Sequence, residues 1–490
     1  MLHYPRSMTE LQHAAKATRP RIQPAEEGDR RPLSVSARLG RLQFHQSGKF
    51  RVLQFADIQD GPKVSKDTIS LIEASLDATR PDLVIFNGNQ IAGYDSAYAL
   101  TSRKRRWDAR PASASSEASG ERYAAALEHT RELVRATIEQ LVHPLADRGV
   151  PWAVTFGNHD FQCGLDNAEI ESICREFPGC INPERAADGT MGIAVKHDVG
   201  DMEQDFGLPE QPVIACAPGT FALSVTDVDR TYDVLGLVLL DSGDYARSGG
   251  YGSPSEAALR FLADAPGLMA AQSQQLQQDR QDEQDSPREP RKTPSTLPCM
   301  VFQHFPIEQY YRLLKPVAAT AARAIEGYRN FAGRHFVLSE DKTQPGSYLG
   351  EGVSCPDADS GEFAILDKAG YFAISAGHDH RNAFVGSVPV GTDGDRQMMM
   401  VASPTSGFGS YGPVPAKRAA RLFEFDIRHP YEPRTQLLEY DELVGKPSAG
   451  KAYAYGMTSE SKPDSEGMDL LHRPTWWSKT WNKLVSLFRR

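Results

Sequence analysis

Four short polar signatures constrain this chain more than any other feature, because each directly follows an apolar run typical of a buried strand. The signatures are Asp57-Ile58-Gln59, Gly157-Asn158-His159-Asp160, Gln303-His304 and Gly377-His378-Asp379-His380. In open sheets of mainly parallel strands, side chains at the carboxyl ends of the strands gather at one edge, where ligands bind. The pattern therefore predicts an α/β fold with one polar site built from residues far apart in the sequence.

Strand and helix patterns alternate along the first third of the chain. Nearly continuous apolar runs, which are typical of strands covered on both faces, occur at Phe50 to Ala56, Leu83 to Phe86, Trp152 to Phe156, Phe221 to Val225, Leu235 to Leu240, Met300 to Phe302, Tyr371 to Ala376, Met398 to Ala402 and Leu422 to Phe425. Ser65 is a favourable N-cap for a helix after the first run, and a second helix is predicted over Tyr123 to His143. Right-handed crossovers would bring the loops after the first three strands to the same edge.

The composition is that of a soluble globular protein. The 490 residues are 40% hydrophobic and 24% charged, and the formal net charge of -10 disfavours binding along a nucleic acid backbone. No run approaches ~20 consecutive apolar residues, so we expect no membrane-spanning helix. The six cysteines form no CxxC pair, which predicts reduced thiols in a cytoplasmic protein. A disulfide between Cys174 and Cys180, or a metal-binding role, is the alternative.

Composition shifts suggest the domain boundaries. We predict a disordered leader at 1–40, one domain at 41–430 with polar insertions at about 101–122 and 272–296, and a linker at 431–473. The leader contains no apolar run of signal-peptide length. The basic run Arg103 to Arg106 in the first insertion is either an exposed loop or a site for an anionic partner.

Residues 474–490 predict a basic, aromatic amphipathic helix. Trp477, Trp481, Leu484 and Phe488 share one helical face, with lysines and arginines interleaved. Such a helix suits either peripheral contact with an anionic membrane or docking onto the domain. The predicted location is therefore cytoplasmic, with contact at the membrane surface as one open possibility.

The polar signatures have the residue types of a metal site. Two divalent ions that activate water against a phosphoryl centre lie about 3.5–4 Å apart and need oxygen and imidazole ligands. The candidate metal ligands that follow apolar runs are Asp57, Gln59, Asn89, Asn158, His304, His378 and His380. Their order is similar to that of the calcineurin-like metallophosphoesterases, whose signatures are Asp-x-His, Gly-Asp, Gly-Asn-His-Asp or Glu, a lone His, and Gly-His-x-His. The resemblance covers residues 48–427, and the Leu-Leu-Asp-Ser-Gly run at 239–243 most resembles the purple acid phosphatase-related branch.

The resemblance implies a four-layer α/β/β/α sandwich and metal-dependent hydrolysis of a phosphate ester by an activated water. It assigns Asp57 and His380 to the first metal ion, with Gln59 in the place of a histidine. Asn158, His304 and His378 would hold the second ion, and Asn89 takes the bridging place. His159 would act near the leaving oxygen, with Asp160 as its orienting partner.

Two positions depart from the family pattern. Gln59 and Asn89 replace a histidine and an aspartate by neutral amides, which lowers the expected metal affinity, most at the first site. A tyrosine ligand three residues after the bridging position is absent, because that position is Ala92, and Tyr94 comes two residues later. Asp60 or Asp241 could compensate, or could be ordinary hydrogen-bonded loop residues.

We therefore expect one tightly held divalent ion, Mn, Fe or Zn, with a weaker or absent second one. Two functions follow: a weak or specialised metallophosphoesterase, or a pseudophosphatase that binds a phospholigand or acts as a scaffold. The substrate would be a phosphorylated small molecule or a phosphoprotein. The glycine-rich segment at 406–412 either offers Phe408 or Tyr411 to a substrate or is a flexible surface loop.

Overall fold

Two β-sheets packed face to face form the centre of the molecule. The computed structural model describes residues 31–108, 117–184, 208–283, 295–445 and 459–460. The five-stranded sheet contains β1 (Lys49–Phe55), β2 (Leu83–Asn87), β3 (Trp152–Thr155), β15 (Ala419–Asp426) and β16 (His429–Glu439), in the order β16-β15-β1-β2-β3. The seven-stranded sheet contains β4 (Val213–Ala217), β5 (Thr220–Thr226), β6 (Asp233–Leu240), β7 (Cys299–Gln303), β12 (Tyr371–Ala376), β13 (Val385–Val390) and β14 (Arg396–Ala402), in the order β13-β14-β12-β7-β6-β5-β4.

Smaller elements complete the domain. The short strands are β8 (Leu314–Val317), β9 (Ile325–Glu326), β10 (His335–Leu338), β11 (Tyr348–Leu349) and β17 (Ser459–Glu460). The helices are α1 (Val35–Leu39), α2 (Lys66–Thr79), α3 (Glu117–Arg148), α4 (Asn167–Cys174), α5 (Glu256–Glu283), α6 (Glu362–Ala369) and α7 (Tyr440–Val444). As predicted, Ser65 caps α2, because its hydroxyl accepts the backbone N–H of Asp67.

The predicted four-layer sandwich is confirmed. Phe50 and Val52 of the first sheet share a buried apolar cluster with Leu237, Met300 and Phe302 of the second, which fills the space between the sheets. Helices α2, α3 and α4 bury their apolar faces on the outer side of the five-stranded sheet. Helices α5 and α6 cover the seven-stranded sheet in the same way.

Strand direction places the site at one edge of the sandwich. β1, β2 and β3 pair in parallel, and so do β6, β7, β12 and β14. The carboxyl ends of β1, β2 and β3 therefore meet at one edge of the first sheet, and those of β7 and β12 meet at one edge of the second.

Each of the nine predicted strands forms, but several boundaries differ. The folded domain extends past 430, because β16 pairs with β15 and α7 follows it. Folded structure also begins inside the predicted leader, where α1 lies, and α3 and α5 run into both predicted insertions. The predicted helix at 474–490 lies outside the described residues.

Two further expectations concern the cysteines and the membrane. Cys174 and Cys180 are free thiols. Among the residues that the structure describes, no helix combines the length and the apolar character required to cross a bilayer.

Candidate metal centre

The predicted ligands lie together at the ends of five strands. Asp57 follows β1, Asn89 follows β2, Asn158 follows β3, His304 follows β7, and His378 and His380 follow β12. These side chains and that of Gln59 are buried. The four signatures therefore lie together at one edge of the sandwich, as the sequence predicted.

The backbone of the site is strained. Asp57, Gln59, Asn89 and His378 have φ values of 51°, 45°, 53° and 69°, and they make up half of the non-glycine residues with positive φ in the described part of the chain. Aspartate and asparagine tolerate this region, but glutamine and histidine seldom adopt it. Such conformations cost about 1–3 kcal/mol each and cluster at functional sites.

Two glycines give the site side chains room to approach. A Cβ atom on Gly157 would lie 2.2 Å from Asn89 Oδ1, and one on Gly88 would lie 2.5 Å from His304 Nδ1. Gly88 also has a φ of 87°, in the left-handed region that favours glycine. Close packing of one loop on the next therefore requires glycine before the candidate ligands Asn89 and Asn158.

Two histidines present a lone pair to the site. His304 Nδ1 is 3.3 Å from the carbonyl oxygen of Asn87, and His380 Nδ1 is 2.7 Å from that of Tyr411. A carbonyl only accepts, so each Nδ1 carries the proton and donates it. In the neutral tautomer, the Nε2 atoms then face the site as electron-pair donors. A hydrogen bond from the second ring nitrogen to a backbone carbonyl is the usual arrangement of metal-binding histidines.

Other electron-pair donors lie beside these nitrogens. Asn158 Oδ1 is 3.0 Å from His304 Nε2, and Asp57 Oδ1 is 3.3 Å from His380 Nε2. The ring of His378 packs against that of His304, with centroids 5.0 Å apart, and no hydrogen bond to this ring is found within the described residues. Lone pairs at such distances repel unless a proton or a cation lies between them.

Asn89 lies between these two groups with its amide in a fixed orientation. Its Oδ1 accepts the backbone N–H of His159 at 2.8 Å. Its Nδ2 lies 3.1 Å from Asp57 Oδ1, 3.2 Å from Asn158 Oδ1 and 2.9 Å from His304 Nε2. Rotating the amide would place its NH2 against the N–H of His159, two donors facing each other. The bridging position therefore carries a hydrogen-bond donor, which cannot bind a cation.

Gln59 makes a different contact, with a residue that sequence reasoning missed. Tyr94 donates its hydroxyl to Gln59 Oε1 at 3.2 Å, and Gln59 Nε2 is 3.2 Å from His380 Nε2. Tyr94 was expected to come too late in the sequence to reach the site. It reaches the site because the loop after β2 turns back over Gln59, although its hydroxyl meets the amide rather than the position of a metal ion.

The expected partnership of His159 and Asp160 is wrong. His159 Nδ1 is 2.7 Å from Gln162 Oε1, an acceptor, so Nδ1 is protonated and Nε2 faces Asn158. Asp160 instead accepts the backbone N–H groups of Asn89, Ile91 and Gly157. It ties the loops after β2 and β3 together, a role that the short sequence spacing could not reveal.

Asp60 and Asp241 do not compensate for the altered ligands. Asp60 accepts hydrogen bonds from Ser65 and Thr68, and Asp241 accepts them from Asn167 and Arg106. Both carboxylates are thus the ordinary loop residues of the alternative interpretation.

Charge balance at the site depends on Asp57. Burial raises the pKa of Asp57, but the facing His304 and His380 outweigh burial and leave this pKa below its usual range. Burial lowers the pKa values of His304 and His378. Burial also lowers that of His380, but neighbouring Asp57 reverses the effect and raises it.

The donor set fits one divalent ion better than a bridged pair. Within the described residues, no three His, Cys, Asp or Glu side chains alone form a group able to hold a metal ion. An ion would therefore depend on the amide oxygen of Asn158, together with His304 and His378. Asp57 and His380 form the other half, where the NH2 group of Gln59 lies 3.2 Å from His380 Nε2. The NH2 group of Asn89 faces both halves.

The glycine-rich segment forms one wall of the site. Ser406 donates its backbone N–H to Ala56 O at 2.8 Å, and Phe408 is buried against Tyr440, so this segment is neither a loose loop nor a source of Phe408 for a ligand. Tyr411 stacks on His380 with centroids 4.2 Å apart and is 41% exposed. Tyr411 therefore lies at the mouth of the site.

Comparison with known proteins gives distant relatives. No family model matches the chain. It is 21% identical to "Phosphatase DCR2" of Saccharomyces cerevisiae over 383 residues. This aligned segment covers 72% of this chain and 47% of the yeast protein. It is 23% identical over 406 residues to "Probable inactive purple acid phosphatase 28" of Arabidopsis thaliana, covering 78% and 77%. The chain thus spans about half the length of the yeast relative.

A solved structure of GAP50, "the anchor in the inner membrane complex of Plasmodium", is 10% identical and covers 86% of this chain and 91% of its own, with a TM-score of 0.36. With that score, the structural likeness adds nothing to the sequence comparison. The yeast relative is named a phosphatase, and the Arabidopsis relative is named a probable inactive purple acid phosphatase. The chain is therefore similar in sequence to phosphatases and purple acid phosphatase-related proteins, which agrees with the resemblance of its polar signatures to those of the calcineurin-like metallophosphoesterases.

Proposed function

We propose that this protein is a metallophosphoesterase that hydrolyses a phosphate ester slowly or with narrow specificity, using one divalent ion. The observation that supports this most is the orientation of His304 and His380. Each fixes its Nδ1 proton on a backbone carbonyl and turns Nε2 toward the site. A hydrogen bond of this kind fixes the tautomer of metal-binding histidines and leaves Nε2 with the lone pair that a metal ion requires.

The residues have separate tasks in this proposal. Asn158, His304 and His378 hold the ion, for which Mn, Fe and Zn suit the mixed nitrogen and oxygen donors. When bound, the ion would polarise the phosphoryl group and acidify a water molecule. Asp57 supplies the negative charge of the site. His159, held at Nδ1 by Gln162, offers Nε2 for proton exchange with the leaving oxygen.

The substrate in this proposal is a phosphorylated small molecule or a phosphoprotein, not a nucleic acid, because the net charge is -10. A cytoplasmic location is part of the same proposal, since the six free thiols suit a reducing compartment. Peripheral membrane contact through 474–490 stays a proposal for residues outside the described part of the chain.

One observation favours a second function, that of a pseudophosphatase that binds a phospholigand. The two N–H groups of Asn89 Nδ2 lie within hydrogen-bond distance of Asp57, Asn158 and His304, so the site can be stable without metal. The name of the Arabidopsis relative, which includes the word inactive, agrees with such a loss of activity in this branch.

Hydrolysis of p-nitrophenyl phosphate with added manganese separates the two functions. The wild type, Gln59→His with Asn89→Asp, and His159→Ala should be compared, with His335→Ala as a control histidine on β10. Slow wild-type turnover that His159→Ala abolishes and His335→Ala preserves supports the enzyme. Turnover by the double variant alone would show that the wild type is a pseudophosphatase.

A further inference from the structure

The basic run Arg103 to Arg106 packs on the rim of the candidate metal centre. Gln162 connects the two, because its Oε1 accepts from His159 Nδ1 at 2.7 Å and its Nε2 donates to the carbonyl of Lys104 at 3.2 Å. Arg103 also donates its backbone N–H to the carbonyl of Gln162 at 3.0 Å. The run is therefore positioned by the same residue that positions His159.

Arg105 lies one side chain away from the proposed ligand Asn158. Its guanidinium carbon is 3.6 Å from the centroid of the Tyr245 ring, and the hydroxyl of Tyr245 accepts from Asn158 Nδ2 at 2.8 Å. A guanidinium stacked on an aromatic face is held in place while its N–H groups stay available in its own plane. Tyr245 thus links Arg105 to Asn158 through one ring contact and one hydrogen bond.

No carboxylate of the described residues forms an ion pair with the side chain of Arg105, although burial raises the pKa of Asp244 and the charge of Arg105 is among those that lower it. The nearby carboxylates Asp241 and Asp244 are paired with Arg106, at 3.3 and 3.2 Å. The guanidinium of Arg105 donates to the carbonyl of Lys104, and Asp108 accepts the backbone N–H of Arg105 rather than its side chain. In a protein with a net charge of -10, an arginine without an ion pair beside a buried polar site gives that site a local positive charge that could attract an anion.

Exposed aromatic side chains lie beside the site and beside the basic run. Tyr94 and Tyr411 are 51% and 41% exposed, and both contact residues of the site. Trp107, at 39% exposed, follows directly after the basic run and lies under Arg247, with 5.1 Å between guanidinium and ring centroid. These rings offer apolar surface for the organic part of a ligand next to the cations.

We infer that Arg105, stacked on Tyr245, is a second anion-binding position, so that the ligand is a small phosphate ester with a further phosphate or other anionic group. This inference rests on the proposed function, because it assigns the first phosphate to the metal centre. Arg105 forms charge-assisted hydrogen bonds to the second group, and Lys104 and Arg247 add long-range attraction.

Calorimetric titration of the purified protein with inorganic phosphate and with inorganic pyrophosphate tests the inference. The wild type should bind pyrophosphate about tenfold more tightly than phosphate, since one charge-assisted contact has roughly that effect. Arg105→Gln should remove this difference and leave phosphate binding unchanged, whereas Arg105→Lys should keep part of it. Arg312→Gln is the control, because the guanidinium of Arg312 also lies over a ring, that of Phe363 at 4.7 Å, but away from the candidate metal centre.

Equal binding of the two anions by the wild type, no binding of either, or an unchanged difference in Arg105→Gln would overturn the inference. An equal loss of both anions in Arg105→Gln would also overturn it, because a single shared phosphate position would then explain the data. Failure of the proposed function has another signature, namely that the wild type distinguishes the anions but hydrolyses no phosphate ester.

Discussion

Asn89 and His159 are joined by a hydrogen bond that decides the chemistry of the site. The backbone N–H of His159 donates to Asn89 Oδ1 at 2.8 Å, and the Asn89 NH2 group consequently points at Asp57, Asn158 and His304. An aspartate at this place would accept the same N–H and present a second oxygen to the site. The amide thus replaces a cation-binding group by a hydrogen-bond donor.

Asn89→Asp should make the fold dependent on metal. Without metal the new carboxylate would face Asp57 across about 3 Å, and like charges so close in a buried site repel strongly. We expect a lower melting temperature than wild type in EDTA, and a higher one than wild type with manganese. Differential scanning calorimetry in the two buffers measures both changes.

Asn87→Asp is the matched control for this prediction. Asn87 Nδ2 donates to the carbonyl of Gln303 at 2.7 Å, outside the ligand set. A carboxylate there would oppose a carbonyl and destabilise the protein to the same extent in both buffers. Rescue of Asn87→Asp by manganese would contradict the interpretation of Asn89.

Removal of a proposed ligand should remove stabilisation by metal. At a concentration a hundred times the dissociation constant, one bound ion adds about 2.7 kcal/mol and raises the melting temperature by on the order of 5 °C. His304→Ala should abolish the rise caused by manganese, and His335→Ala should not, because His335 lies in β10. A full manganese response in His304→Ala would exclude His304 as a ligand.

Tyr245→Phe should weaken metal binding and leave anion discrimination intact. The hydroxyl of Tyr245 accepts from Asn158 Nδ2 and so keeps Asn158 Oδ1 toward His304. Loss of such a supporting hydrogen bond lowers metal affinity by about tenfold or more, while the phenyl ring still carries Arg105. Manganese titration of this variant beside Tyr431→Phe, a tyrosine that bonds to Val234, would show whether the effect is specific.

Glu362 should make the fold less stable as the pH rises. Burial raises the pKa of Glu362 to about 7, from 4.5 in the unfolded chain. Because the folded state prefers the protonated form, this stabilisation is full below pH 4.5 and is lost as the pH rises through 7. The difference amounts to about 3 kcal/mol.

Glu362→Gln should therefore flatten the decline in the free energy of unfolding between pH 4.5 and 7.5, as measured by urea denaturation. Glu256→Gln is the control, because the side chain of Glu256 is 90% exposed. A decline that is equally steep in Glu362→Gln and in the wild type would show that another group is responsible.

Sequence patterns predicted the strands and the convergence of the ligands because both depend on local signals. A run such as Leu235 to Leu240 is apolar at nearly every position, which indicates a strand buried on both faces. The polar residue after it marks the end of the strand. β16 was missed because Pro430, Glu432 and Pro433 interrupt its pattern, and tertiary pairing with β15 outweighs those local preferences.

The contacts of side chains were less accessible to sequence reasoning. The spacing of His159 and Asp160 suggested a partnership, yet the carboxylate turns to three backbone N–H groups and Gln162 takes its place. The direction of the Asn89 amide depends on the His159 N–H seventy residues away. Such choices depend on tertiary geometry that no local pattern contains.

Anomalous diffraction from a crystal grown with manganese tests the central claim most directly. We predict one strong peak, within coordination distance of Asn158 Oδ1 and the ring nitrogens of His304 and His378. Two peaks that share Asn89 as a bridge, or no peak at this edge of the sandwich, would contradict the account.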